Sequence, residues 1–86
     1  MSKVLVSIRV MPKDSNVDLD LLEKIIQEAI SPEKLERKPI AFGIVAFDLV
    51  KVVEDKEGEI DLIENNLKSI ELVGEVEVTE VSRVFI

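Results

Sequence analysis

The sequence has no cysteine, histidine, tryptophan or tyrosine, and only three each of phenylalanine, glycine and proline. Without Cys or His there is no thiolate nucleophile, imidazole base, disulfide framework, zinc site or haem ligand. Any reaction would rest on carboxylates, lysines and hydroxyls alone. The expectation is a protein with no cofactor that is not an enzyme. Long apolar runs are also missing, since none nears the roughly 20 residues that a membrane-crossing helix needs. Met1 to Lys13 alternates like a strand instead of pairing a basic leader with an apolar block. A cytoplasmic location without membrane contact is therefore expected. Basic residues are in deficit, 11 against 18 acidic, for a net charge of −7, and only Arg37-Lys38 adjoin. Binding a phosphate backbone depends on clustered Lys and Arg, so direct nucleic-acid binding is not expected. The negative balance suits steering toward a basic protein surface.

What is present is enough apolar material to fold, 47% of residues, in a chain of 86. That length fits one domain spanning residues 1–86. Val4, Val6, Ile8 and Val10 alternate with other residues from Lys3 to Met11, the period of a strand, which Pro12 ends. Leu19, Leu22, Ile25, Ile26, Ala29 and Ile30 then recur every three or four positions, the stripe of an amphipathic helix. Asp18 is placed to cap that helix, and Ser31-Pro32 to stop it. Leu35 to Ala41 reads as a second strand whose Pro39 confines it to an edge or a bulge. Ile44 to Val53, the most apolar segment, reads as a central strand buried on both faces. Ile60, Ile63, Leu67 and Ile70 mark a second helix, with Gly74 just past its end. Val76 and Val78 open a last strand whose phase slips at Glu80-Val81, suggesting a bulge before Arg83 to Ile86.

The order strand, helix, strand, strand, helix, strand is the split βαβ pattern. Two amphipathic helices hiding their stripes on one face of a four-stranded antiparallel sheet make a ferredoxin-like α+β sandwich (βαββαβ). Leu22, Ile26, Ile63 and Leu67 should face that sheet. The fold hosts many functions, so function has to come from particular residues.

Asp14-Ser15-Asn16-Val17-Asp18 opens like a calcium loop, but Leu19 stands where glycine is needed and Ile25 where the bidentate glutamate is needed. A turn and helix cap is the expectation there. Glu54, Asp55, Glu57, Glu59 and Asp61 cluster in one polar loop and helix start. Solvent there would deny them the separated pKa values that paired catalytic carboxylates require. Pro39-Ile40-Ala41-Phe42-Gly43 stands out, with a large aromatic between a strand-ending proline and a glycine. Phe42 there is either a core plug closing one end of the sandwich or an exposed anchor for a partner's pocket. Arg83 is either a cross-strand partner of acidic residues or a cation reaching from the chain's end into a partner's anionic pocket.

The segment Pro39-Ile40-Ala41-Phe42-Gly43-Ile44-Val45-Ala46-Phe47 resembles the signature of the archaeal elongation factor 1-beta family. Arg9-Val10-Met11-Pro12 leading to Val17-Asp18-Leu19-Asp20-Leu21 is similar to that family's first strand and helix start. Val76-Glu77-Val78-Thr79 through Arg83 is similar to its terminal strand. The resemblance implies a guanine nucleotide exchange factor that releases GDP from the GTPase elongation factor 1-alpha. It implies Phe42 as the residue that docks on the GTPase, with Pro39, Ile40, Ala41 and Gly43 of the same segment as further partner-binding residues. It aligns Arg83 with a C-terminal lysine of the eukaryotic relatives that disturbs the GTPase's Mg²⁺ site. Here the residue is Arg, the chain ends Val84-Phe85-Ile86, and the connection Ser31 to Lys38 is short, which implies a truncated second strand. A monomer is expected. A ferredoxin-like small-molecule-binding regulatory domain is the alternative from another class.

Overall fold

The computed structural model describes residues 2–85, with a strand β1 at Ser2–Pro12, helix α1 at Leu19–Ile30 and strand β2 at Lys34–Pro39. Strand β3 follows at Val45–Glu54, helix α2 at Glu59–Lys68 and strand β4 at Val73–Phe85. Ile86, expected to end the last strand, lies outside the described residues. All pairings are antiparallel and the sheet order is β2-β3-β1-β4. The ferredoxin-like α+β sandwich read from the sequence is the fold observed.

Alternation and helical periodicity place the core where the pattern requires. Val4, Val6, Ile8 and Val10 of β1 and Phe47, Leu49 and Val53 of β3 meet Leu22, Ile26 and Ile30 of α1 and Ile63 and Leu67 of α2. The four helix residues expected to face the sheet are all buried. Asp18 caps α1, its carboxylate accepting the Leu21 N–H at 3.2 Å, and Ser31 closes the helix in a left-handed conformation.

Four local expectations are corrected. Central strand β3 is not buried on both faces: Asp48, Val50 and Val52 are only partly covered, because both helices lie on the opposite side of the sheet. The second strand ends at Pro39, and Ile40 and Ala41 belong to the turn that follows. Gly74 does not end α2, which stops at Ser69, but lies in β4, where the chain passes very close to β1. A Cβ on Gly74 would sit 2.8 Å from the Lys13 Cα. The register of β4 shifts twice: at Gly74, since Met11 pairs with Glu75 and Pro12 with Val73, and at Thr79, since Ser7 pairs with Glu80 and Ile8 with Val78, the latter one residue before the position inferred. Strand β2 does take the sheet edge, as Pro39 requires, and is the shortest strand at six residues.

Candidate partner-binding site

The hairpin joining β2 and β3 carries the candidate anchor. The Ile40 N–H donates to the Ile44 carbonyl at 2.9 Å, and the Ile44 N–H donates to the Ala41 carbonyl at 3.3 Å. Inside that turn Phe42 has φ 62 and ψ 33, and Gly43 has φ 73. Positive φ at both central residues makes this a type I′ turn, whose first central position favours Asn, Asp or Gly. Glycine fits its place without strain, whereas phenylalanine does not. The side chain gains no burial in return: Phe42 is 95% exposed. The core-plug reading is thereby excluded. Phe47, by contrast, is fully buried.

Arg83 lies in β4 opposite Val4, and its Nε sits 3.2 Å from the Asp55 carboxylate in the loop after β3. The side chain remains 68% exposed. Its acidic partner comes from a loop, and not from the glutamates of a neighbouring strand. Arg83 and Phe42 occupy opposite ends of the sheet. Val4 pairs with Val53 at one end, while the Phe42 turn precedes Val45 at the other. The eight residue steps of β3 from Val45 to Val53 span roughly 26 Å. The long dimension of the fold, 42 Å, accommodates that separation.

Neither acidic cluster forms a site. Asp14 accepts the Asn16 N–H at 2.8 Å as a local turn, and Asp18 is occupied as the helix cap. In the other cluster Glu54 pairs with Lys3, Glu59 with Lys56 and Asp55 with Arg83. Among the described residues no group of three carboxylates converges as metal ligands would.

Part of the charge on the uncovered face of the sheet is already engaged. Arg9 grips Asp48 with two bonds, 2.8 and 3.1 Å, and Lys34 pairs with Glu36 at 3.3 Å. Hydrogen bonding to Arg9, with Coulomb attraction behind it, holds the Asp48 carboxyl below its ordinary range against the cost of desolvation. A shallow depression of about 300 Å³ opens between these groups, lined by Ser7, Arg9, Lys34, Glu36, Asp48 and Glu80. A ligand there would have to break those pairs, which does not favour the regulatory-domain alternative. The two described aromatic side chains lie elsewhere, one in the core and one at the hairpin tip. The face therefore offers neither of them to stack a base. No helix among the described residues is long and apolar enough to cross a membrane.

Residues 5–84 match the family described as the EF-1 guanine nucleotide exchange domain. The chain belongs to that family. It is 46% identical over 88 residues to elongation factor 1-beta of Methanothermobacter thermautotrophicus, an alignment covering 96% of this chain and 98% of that protein. The protein of the same name from Staphylothermus marinus is 41% identical over 90 residues, covering 98% and 99%. That of Thermoplasma acidophilum is 38% identical over 86 residues, covering 95% and 98%. Among solved structures, the ACT domain from GTP pyrophosphokinase of Chlorobium tepidum superposes with a TM-score of 0.59 over 90% of this chain and 99% of that one. Its sequence identity of 20% makes that a likeness of fold alone.

One feature of this EF-1 exchange domain escaped sequence reasoning. Arg37, on the helix side of β2, bonds to both Asp20 and Glu23 of α1 and lies over the Phe47 ring. The visible signal was its place in an alternating strand, two residues before Pro39, which puts it on the core side of the sheet.

Proposed function

We propose that this EF-1 exchange domain releases GDP from elongation factor 1-alpha by seating Phe42 in an apolar pocket of the GTPase. Pro39, Ile40, Ala41 and Gly43 form the turn that presents it. The observation that carries the reading is the conformation and exposure of Phe42: a large aromatic held in a strained turn and almost wholly in solvent. Exposed aromatics that enter a partner's pocket are the residues that dominate binding energy. No bond needs to be made or broken. A factor that binds the nucleotide-free GTPase more tightly than the loaded form weakens nucleotide affinity by the same ratio, so exchange is competitive binding by linkage. The chain acts in this reading as a cytoplasmic monomer, without cofactor or direct nucleic-acid contact.

Arg83 takes a second role at the far end of the sheet, competing for the anionic ligands around the GTPase's Mg²⁺ and phosphates once its bond to Asp55 opens. The separation of Phe42 from Arg83 requires the GTPase to run along the length of the domain. The test is release of a fluorescent GDP from elongation factor 1-alpha with Phe42→Ala at limiting concentration. A loss of roughly 30-fold or more is expected, the affinity equivalent of a hot spot of about 2 kcal/mol. Wild-type release by a folded variant would overturn the reading.

A further inference from the structure

The hairpin that holds Phe42 outruns its support. Pairing between β1 and β3 stops at Val10 opposite Phe47, and beyond that row β1 continues with β4 through Met11 and Pro12. Ala46 and Val45 are paired only with Lys38 and Pro39 of β2. A two-stranded ribbon by itself is marginally ordered in water, and a mobile tip would have to be immobilised at each encounter.

Arg37 stands opposite Phe47, in the last row where all four strands run side by side. Its Nε donates to the Glu23 carboxylate at 3.0 Å, and its Nη2 donates to Asp20. Its guanidinium carbon lies 5.8 Å from the centre of the buried Phe47 ring, within cation-π range. Asp20 and Glu23 are three residues apart and so project from one side of α1, in the part of the helix fixed by the Asp18 cap. One side chain thus ties the edge strand of the hairpin to the helix layer through two carboxylates of α1, while lying over a buried ring of the neighbouring strand. A planar fork can reach two carboxylates while lying over a ring, which an ammonium cannot do.

We propose that Arg37 is a positioning residue for Phe42, a strut that fixes the β2–β3 hairpin to α1 so that the aromatic is presented in one place. The proposal rests on the exchange reading above for its consequence, though not for its mechanics. Exposed ion pairs add little to global stability, so the effect of removing Arg37 is local order at the hairpin and not unfolding.

The experiment combines amide hydrogen exchange with fluorescent GDP release for wild type, Arg37→Ala, Arg37→Lys, Phe42→Ala and the double variant Arg37→Ala with Phe42→Ala. In Arg37→Ala the Ile40 and Ile44 amides should exchange roughly three- to tenfold faster while those of β1 and β4 are unchanged. Release at limiting factor should fall by a similar ratio and recover at saturation, with Arg37→Lys between wild type and Arg37→Ala. The double variant should be no worse than Phe42→Ala, because the strut acts only through the aromatic. Unchanged hairpin amides, or protection lost equally across the whole sheet, would overturn the strut. Losses that multiply in the double variant would overturn it as well, showing Arg37 acting on the partner directly. If Phe42→Ala alone released GDP normally, the exchange reading would fall, while the amide data would still decide the strut.

Discussion

Replacing Phe42 with asparagine should make the protein more stable and less active at once. The left-handed region costs an ordinary L-residue roughly 1–2 kcal/mol, whereas asparagine tolerates it and is favoured at this position of a type I′ turn. Phe42 is 95% exposed, so removing its ring forfeits almost no burial to set against the relief. A net gain of about 1 kcal/mol follows, equivalent in a domain of this size to roughly 4–8 °C in Tm. Phe42→Ala serves as the control. Alanine retains the backbone penalty and loses only the ring, so its stability should stay near wild type. Urea denaturation or calorimetry measures this half of the prediction. GDP release at limiting factor measures the other: both variants lack the anchor, and both should fall roughly 30-fold or more. An asparagine variant no more stable than wild type would refute the strain argument. Wild-type release by either variant would refute the anchor.

Three further outcomes follow from single contacts. Gly74→Ala should destabilise the domain by roughly 1–3 kcal/mol in urea denaturation, because the new methyl would meet the backbone of Lys13 and Pro12 and not a side chain able to move. Asp48 has a folded-state pKa below the unfolded value of about 3.9, so its contribution is present above that pH and is lost as pH falls through the folded value. The urea midpoint of wild type should therefore exceed that of Asp48→Asn at neutral pH, and the gap should close on acidification below about pH 4. Arg83→Ala should slow GDP release even at saturating factor, less so after Mg²⁺ is chelated, while Arg83→Lys keeps most of the activity. Equal release by wild type and Arg83→Ala would leave Arg83 as the structural partner of Asp55.

The fold was legible because period and breaker agreed at nearly every element. Alternating valines in β1, the three-and-four spacing of Leu22 and Ile26, and Pro39 at a sheet edge each admit one arrangement once both helices must share a face. The failures have local causes. Val45, Phe47, Leu49 and their apolar neighbours read as a strand buried on both faces, yet an antiparallel sheet with helices on one side leaves its other face open whatever the composition there. Gly74 reads as a helix end because a glycine after an apolar stripe is the usual stop signal. Its actual role, the close approach of two strands, depends on pairing across the sheet that no local window contains. The Arg37 contacts were hidden for the same reason, since Asp20 and Glu23 lie far away in sequence and meet it only through the packing of α1 on the sheet.

The site itself could be read from the sequence only as a choice between two readings, and the reason is informative. Residues chosen for stability make local and global preferences coincide, as they do at Asp18 and Gly58, where a helix cap and a left-handed turn carry types suited to them. At Phe42 they conflict. A sequence shaped only to close this hairpin would place Asn-Gly at the tip, and a sequence shaped only to bury aromatics would place Phe42 beside Phe47. The chain does neither, and the folded domain alone recovers nothing for the strain or for the exposed ring. Both penalties are offset only if a second surface covers the ring, so the conflict points outward, to the partner.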